Sequence, residues 1–390
     1  MSYVLRDYQQ KASNAAVSFF ANRAKKNNAI MVLPTGAGKS LVIADIASRL
    51  EGHTLVFQPS KEILEQNYLK LCSYGVLDCS IYSASFGRKE ISRITFATIG
   101  SVINHPELFQ HFRNIIIDEC HLVNPKEGMY KSFLSMLKCK VLGLTATPYR
   151  LSSSRDFGSM LKFITRTRPC VFSEVIYQVQ ISTLLDMGYL SKLNYYPMNP
   201  LGWNELNLKV NTTGADYTDK SVVKEYERID FYGFLVSIVQ RLMNPKSGVK
   251  RKGILVFTRF LKEAERLTWS VPGTAIVSGE TPKKEREHIL EAFKAGEIPV
   301  VANVGVLTTG FDYPELDTIV MARPTMSLAL WYQIVGRAIR PHPNKEAGWI
   351  VDLAGNIKRF GKVEDLRLVN GGNNKWSVWN KDKQLTNVYL

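Results

Sequence analysis

Residues 29–40 read AIMVLPTGAGKS, an apolar run that passes into a glycine-rich loop ending in Gly-Lys-Ser. The apolar run predicts a buried strand, and residues 40–50 (SLVIADIASRL) have helical periodicity. A strand, a tight loop and a helix in this order make a cradle for phosphate groups, because glycines let backbone N–H groups turn inward and the helix N-terminus carries partial positive charge. This stretch therefore predicts an α/β domain with a phosphate-binding loop.

Further apolar runs, rich in Val and Ile, alternate with helical patterns in the way that gives a parallel sheet with helices on both faces. One series continues at 54 (TLVFQ), 94 (ITFA), 114 (NIII) and 140 (KVLGL), and a second begins at 253 (GILVF), 273 (GTAIV), 298 (IPVVA), 318 (TIVMA) and 348 (GWIVD). A chain of 390 residues is long enough for two such domains. We expect a first lobe over residues 1–175, a linker or insertion and the start of the second lobe over 176–250, the rest of the second lobe over 251–365 and a C-terminal tail over 366–390.

The composition indicates a basic protein without a metal or disulfide framework. The formal net charge is +15 and the sequence pI about 9.5, which favours a polyanionic partner but is weak evidence by itself. The five cysteines have irregular spacings and no C-x-x-C pair, so neither a zinc site nor a disulfide scaffold is predicted. No signal peptide and no apolar run of membrane-spanning length is evident, so we expect a soluble, intracellular, cytoplasmic protein without membrane contact.

The loop residues have separate expected roles. Backbone N–H groups of Thr35, Gly36, Ala37 and Gly38 would surround a phosphate, Lys39 would reach the β and γ phosphates, and Ser40 would bind magnesium. Leu33 stands where such loops usually begin with glycine.

A second charged motif follows the apolar run at 114, where residues 114–121 read NIIIDECH. Asp118 and Glu119 are adjacent carboxylates at the end of a buried strand, which is costly unless they bind a ligand. Alone, the pair could be a solvated strand end. Together with the phosphate loop, it predicts that Asp118 binds magnesium and that Glu119 is the general base for an attacking water.

The second half carries an arginine pair in residues 333–341, QIVGRAIRP. Arg337 and Arg340 are three residues apart, so on a helix their guanidinium groups share a face and can converge on one phosphate. Two surface arginines on a helix are the alternative. Their position late in a second α/β lobe favours a functional role.

In order, LPTGAGKS, DECH and LTATP (residues 144–148) resemble the first lobe of superfamily 2 helicases, and the DECH box indicates the DEAH-like branch. The resemblance implies two tandem RecA-like P-loop domains with ATP and Mg²⁺ bound between them. It also implies that His121, Thr145 and Thr147 couple the lobes, that Gly310 and Asp312 contact the ribose and backbone, and that Gln333, Arg337 and Arg340 form the arginine-finger motif.

Weaker likenesses extend the resemblance to both ends of the site. In LRDYQQKA (residues 5–12), Gln9 would read the adenine with Arg6 near the base. Segments similar to the strand-binding motifs of this family place candidate nucleic-acid contacts at Pro59, Ser60, Thr98, Thr258, Arg259 and Thr308.

The chain is most similar in its motifs to bacterial RadD-type DNA repair ATPases, although it lacks their cysteine-rich C-terminal region. The resemblance implies an ATP-dependent helicase or translocase that acts on DNA in preference to RNA, in repair, recombination or replication. The tail is a candidate docking site for a protein partner. Two alternatives stay open: an ATP-gated clamp or sensor on nucleic acid, and the motor subunit of a restriction-like nuclease.

Overall fold

The computed structural model describes residues 4–154, 158–198, 207–212, 214–246, 248, 250–308 and 311–388. The first lobe is built on an eight-stranded sheet with the order β10-β1-β7-β6-β2-β5-β3-β4. Every strand pairs in parallel except β4, which is antiparallel to β3. The strands are β1 (Ala29–Val32), β2 (Thr54–Phe57), β3 (Cys79–Ser83), β4 (Arg88–Lys89), β5 (Ile94–Ala97), β6 (Asn114–Asp118), β7 (Lys140–Thr145) and β10 (Glu174–Gln178).

Helices cover both faces of this sheet. On one face α1 packs on α2 and α2 on α3, and on the other α4 packs on α5. The central strands β1, β2, β6 and β7 are buried throughout, as their continuous apolar sequences predict. The helices are α1 (Asp7–Ala21), α2 (Lys39–Arg49), α3 (Lys61–Ser73), α4 (Ile99–Val102), α5 (Met129–Ser135) and α6 (Ile181–Asp186).

The second lobe contains a six-stranded, fully parallel sheet with the order β11-β16-β15-β12-β14-β13. Its strands are β11 (Lys192–Pro197), β12 (Ile254–Thr258), β13 (Thr274–Val277), β14 (Val300–Val304), β15 (Thr318–Met321) and β16 (Ala347–Asp352). Its helices are α7 (Asp219–Arg228), α8 (Phe231–Met243), α9 (Leu261–Ser270), α10 (Lys283–Lys294), α11 (Leu328–Ala338) and α12 (Asn356–Phe360).

All ten apolar runs quoted above are strands in the structure. Strands β3, β4, β10 and β11 were not predicted, and all four lie at or next to a sheet edge. Because β10 belongs to the first sheet, that sheet continues past residue 175, and β11 already belongs to the second. The segment expected to be a linker therefore supplies an edge strand to each lobe.

The C-terminal tail folds into a small antiparallel sheet of β17 (Leu366–Asn370), β18 (Trp376–Asn380) and β19 (Lys383–Gln384). It packs on the first-lobe hairpin of β8 (Tyr149–Ser154) and β9 (Gly158–Phe163), where Trp376 stacks on Phe163 with ring centroids 6.3 Å apart. The side chain of Gln180 forms two hydrogen bonds with the backbone of Leu368, at 2.9 and 3.0 Å. In the second lobe, Asn380 Nδ2 donates to the carbonyl of Lys362 at 2.8 Å. The tail therefore bridges the lobes.

Within the described ranges, no helix is both long and apolar enough to span a bilayer.

Replacing Trp376 with Ala should lower the free energy of unfolding by about 3 kcal/mol or more, because it empties the contact between the tail and the hairpin. Trp269→Ala is the matched control, since Trp269 is 74% exposed whereas Trp376 is 9% exposed. Chemical unfolding followed by circular dichroism measures both variants. Equal, small effects would show that the tail does not brace the lobes.

Candidate functional site

The first-lobe loops that carry the predicted catalytic residues lie at the carboxyl ends of the strands of its sheet. Strands β1, β7, β6 and β2 are neighbours and run in parallel, so the loops that follow them leave from the same edge. The phosphate loop, the TAT segment, the acidic pair and Pro59 come after these strands. Their convergence follows from the order of the strands and not from their separation in the sequence.

The phosphate loop has the backbone that its glycines allow. Gly36 and Gly38 have φ of +84° and +75°, and Gly38 is the N-cap of α2. A Cβ atom at Gly38 would lie 2.6 Å from Gln9 Nε2, so a side chain there would be both strained and crowded. Lys39 is the first residue of α2 and therefore lies at the N-terminus of this helix.

The acidic pair lies against the loop lysine. Glu119 Oε1 is 3.7 Å from Lys39 Nζ, and Glu119 has left-handed backbone with φ +49°. Burial raises the pKa of Asp118, and the adjacent carboxylate of Glu119 raises it further. Burial alone would also raise the pKa of Glu119, but Lys39 and a hydrogen bond from His121 outweigh burial and lower it. Glu119 is therefore an ionised carboxylate that can accept hydrogen bonds.

His121, Thr145 and Thr147 form one hydrogen-bonded group, as their predicted common role requires. His121 Nδ1 lies 2.9 Å from Thr145 Oγ1 and 3.1 Å from Thr147 Oγ1. The same nitrogen is 3.2 Å from Glu119 Oε2. The group thus connects the acidic pair with the start of the β8–β9 hairpin, two residues beyond Thr147.

Helix α11 brings Arg337 to this cleft, and Arg340, expected on the same helix, lies two residues beyond its last residue, Ala338. Arg337 is 8% exposed and donates to the carbonyls of Phe311, at 2.8 Å, and of Thr308. Burial lowers the pKa of Arg337 to about 9, with Arg340 adding to the effect, so its guanidinium stays charged at neutral pH. Arg340 is paired with the exposed carboxylate of Asp312.

The two lobes touch directly at the phosphate loop. The N–H of Thr35 donates to the hydroxyl of Tyr332 on α11 at 3.4 Å. A Cβ atom added at Gly336 would come within 2.7 Å of Thr35 Cγ2, so the helix can approach this closely only with glycine there. The phosphate loop and α11 therefore form two walls of one cleft.

The cleft has a volume of about 360 Å³ and carries both signs of charge. Predicted residues that line it are Thr35, Gly36, Gly38, Lys39, Ser40, Asp118, Glu119, Asp312, Gln333, Arg337 and Arg340. Sequence reasoning missed Ile63, Gln66 and Asn67 on α3, and Phe311, Pro314 and Pro341 from the second lobe. Ile63 and Gln66 belong to a segment assigned to nucleic-acid contact and Asn67 follows it directly, so no local signal directed these residues to the phosphate side. Gly310 lies outside the described residues.

At the other end of the phosphate loop, the base-side residues have a different arrangement from the predicted one. The Arg6 guanidinium stacks on the ring of Tyr189 at 4.1 Å, an aromatic residue that sequence reasoning did not select. Gln9 is buried, its Nε2 donating to the carbonyl of Ala37 at 3.0 Å and its Oε1 accepting from the N–H of Arg6 at 2.9 Å. Each amide atom uses one of its hydrogen-bonding positions in these contacts, so Gln9 supports the phosphate loop in this structure.

Several predicted nucleic-acid residues lie at strand ends of the first lobe. Ser60 accepts from the N–H of Ile63 at 3.3 Å and caps α3, and Pro59 precedes it. Thr98 Oγ1 lies 2.9 Å from Ser101 Oγ at the start of α4. Pro59, Ser60 and Thr98 are each half-buried. In the second lobe, the carbonyl of Thr308 is bonded to Arg337.

Two second-lobe predictions need correction. Thr258 is 1% exposed and its hydroxyl donates to the carbonyl of Asn303 at 3.4 Å, so it does not reach a strand on the surface. Arg259 has a 9% exposed side chain whose guanidinium is bound by Asp219, at 2.8 Å, and Asp216, at 3.2 Å. The arginine anchors the segment before α7, and its phosphate-binding groups are already occupied.

Known protein families match both lobes. Residues 2–150 match the family described as "Type III restriction enzyme, res subunit", and residues 235–342 match the "Helicase conserved C-terminal domain". Each lobe is therefore similar to a described family of its own.

Individual proteins are similar to this chain over most of its length. A Saccharomyces cerevisiae protein named as a candidate ATP-dependent helicase, IRC3, is 24% identical over 90% of this chain and 52% of its own length. The "DNA 3'-5' translocase XPB2" of Sulfurisphaera tokodaii is 27% identical over 88% of this chain and 80% of its own length. This chain thus spans about half of the first relative.

Solved structures confirm the predicted fold class of two tandem RecA-like domains. The structure described as "ATP-dependent Type ISP restriction-modification enzyme LlaBIII bound to DNA" superposes with a TM-score of 0.65 at 18% identity. The superposition covers 91% of this chain and 28% of that one. At this identity the likeness establishes the fold alone.

Replacing Gly336 with Ala should lower the free energy of unfolding by about 1–3 kcal/mol, because the new methyl group overlaps Thr35 across the lobe interface. The matched control is Gly279→Ala, where a Cβ atom meets nothing within 4 Å and the change should be within about 0.5 kcal/mol. Thermal unfolding of both variants measures the difference. Equal stabilities would mean that the lobes do not contact each other here.

Proposed function

We propose that this chain is an ATP-dependent superfamily 2 helicase or translocase that acts on DNA. The observation that carries the proposal is the single cleft in which Lys39 and Glu119 of the first lobe face Arg337 and Arg340 of the second. A phosphate loop alone fits any P-loop ATPase. Arginines from a second lobe in the same cleft fit an enzyme in which hydrolysis is coupled to movement between lobes.

The residues present fit a magnesium–nucleotide complex. The left-handed glycines Gly36 and Gly38 and the N-terminus of α2 form an anion cradle, and Lys39 lies at its end. Ser40 and Asp118 offer oxygen ligands of the kind that Mg²⁺ prefers, and would hold it. Bound Mg²⁺ supplies charge neutralisation at the phosphate oxygens.

The remaining side chains divide the hydrolytic work. Glu119 is ionised and hydrogen-bonded to His121, which orients it to accept a proton from water. Lys39 pairs with Glu119, so a phosphate that binds Lys39 would weaken that pair and leave the carboxylate to water. Arg337 and Arg340 stabilise charge on the transferred phosphoryl group, with Gln333 beside them.

The coupling role of His121, Thr145 and Thr147 is supported by their direct hydrogen bonds to one another and to Glu119. A change at Glu119 during hydrolysis would reach the β8–β9 hairpin, against which the tail of the second lobe packs. The finer proposal, that the chain is a DECH-box protein close to RadD-type DNA repair ATPases, rests on the motifs quoted from its sequence.

DNA is the proposed substrate because the relatives with named substrates act on DNA and the chain carries a formal charge of +15. The structural likeness to a DNA-bound restriction-modification enzyme favours one second candidate, the motor subunit of a restriction-like nuclease. In that case a partner subunit would cut the DNA. An ATP-gated clamp would show stimulated ATP hydrolysis without displacement of a strand or triplex.

Replacing Arg340 with Ala should lower kcat for ATP hydrolysis about 100-fold or more while changing nucleotide affinity little, because the arginine acts on transition-state charge. Glu119→Gln should abolish turnover with the fold intact. Arg241→Ala removes an exposed arginine of the same lobe and is the control, expected to be neutral. Normal turnover in Glu119→Gln would contradict the assignment of the base.

The ATPase rate should rise with DNA, and more than with RNA, when single-stranded, duplex and forked forms of each are compared. Binding should be sequence-tolerant and should weaken steeply as salt increases, because phosphate contacts release counterions. Fluorescence anisotropy at low and moderate salt measures the affinity. Stimulation by RNA alone, or affinity independent of salt, would exclude the proposed substrate.

A further inference from the structure

The wall of the cleft formed by α3 contains a buried amide group without a partner. Asn67 is 4% exposed and lines the cleft, and its Nδ2 atom has no hydrogen-bond partner among the residues that the structure describes. None of the motifs in the sequence includes this residue.

Such a group is unfavourable when no acceptor lies beside it. A buried donor left without a partner costs about 1–3 kcal/mol, and an apolar side chain of similar size avoids that cost. Other buried side-chain atoms in the described part of the chain also lack a partner, and of these only Asn67 Nδ2 and Arg337 Nε belong to residues that line the cleft. The position of Asn67 in the cleft wall, together with its unpaired donor, points to a bound group that the cleft accepts.

The chemistry of the free atom limits what that group can be. Nδ2 only donates hydrogen bonds, so its partner must be an acceptor. A water bound to Mg²⁺ directs its oxygen at the metal and offers hydrogens outward, and is a poor acceptor. A phosphate oxygen accepts readily, and the same cleft holds Lys39, Arg337 and Arg340, which favour an anion.

The position of α3 places Asn67 near the reacting end of the phosphates. Helix α3 follows β2, and β2 pairs with β6 so that Phe57 lies opposite Ile117, the residue before Asp118. The α3 wall is thus beside the acidic pair. Ile63, one turn before Asn67, lines the same cleft, as do the finger arginines of the second lobe.

We propose that Asn67 binds the γ-phosphate of ATP through Nδ2 and so helps the protein to distinguish ATP from ADP. The inference rests on the proposed function, because it requires a nucleoside triphosphate in this cleft. It adds a neutral donor on the first lobe to the charged groups that contact the same phosphate, and it links occupancy of the γ position to the start of the α3 segment at Ser60.

Asn67→Leu tests the proposal, since leucine keeps the approximate size and removes the amide. Fluorescence titration of the full chain with Mg²⁺ should show roughly tenfold weaker binding of a non-hydrolysable ATP analogue, the loss of one hydrogen bond to a charged group, and unchanged ADP binding. The nucleotide-free variant should melt at the same or a higher temperature, because the unpaired donor is gone. Asn67→Asp offers acceptors only and should also weaken ATP more than ADP.

Asn114→Leu is the matched control. Asn114 is equally buried, but its Nδ2 donates to the carbonyl of Glu51 at 2.9 Å, so leucine there should lower the melting temperature and leave the ratio of ATP to ADP affinity unchanged. A lower melting temperature for Asn67→Leu together with equal losses for ATP and ADP would identify a structural residue and overturn the inference.

The proposed function can fail separately from this inference. If the wild-type chain does not bind the ATP analogue, or if Lys39→Ala binds it as well as the wild type, the nucleotide site itself is wrong. If the wild type binds, Lys39→Ala does not, and Asn67→Leu matches the wild type for both nucleotides, only the role of Asn67 is overturned.

Discussion

The close packing of Gly336 on Thr35 is the contact on which the geometry of the cleft depends. Any side chain at position 336 would push α11 away from the phosphate loop, and with it Arg337 on the helix and Arg340, which lies two residues beyond the helix end. The hydrogen bond from Thr35 to Tyr332 lies one turn earlier on the same helix. The two lobes thus share one site because the glycine on α11 allows this helix to lie directly against the phosphate loop.

The charges in this cleft are arranged so that an anionic ligand would redistribute them. Lys39 is paired with Glu119 and Arg340 with Asp312, whereas Arg337 is held by backbone carbonyls and keeps its charge despite burial. Each pair joins a group that would bind phosphate to one that would not. Phosphate binding and release of the carboxylates are therefore linked, and the linkage requires no other movement of the backbone.

The sequence predicted the features that are set by neighbouring residues and missed those that depend on contacts between residues far apart in the chain. The phosphate loop, DECH and TAT each consist of a strand end and the turn after it, so a short stretch specifies their shape and the parallel sheet brings them together. Strands β10 and β11 were missed because an edge strand need not be continuously apolar. In β11, for example, every residue is half-buried or exposed. Arg259 was misassigned because Asp216 and Asp219, which bind it, are about 40 residues away and carry no motif.

The same distinction explains why the nucleotide chemistry can be assigned more firmly than the nucleic-acid contacts. Phosphate transfer needs a few groups fixed within one cleft, and here their side chains meet there from both lobes. Contacts to a strand backbone use hydroxyls and N–H groups that also cap helices, as Ser60 does for α3. A capping hydroxyl on α3 or α4 has the same local geometry whether or not a strand lies over it. The nucleic-acid path therefore has to be defined by charge and affinity measured on the whole surface, whereas the ATP site is defined by its own geometry.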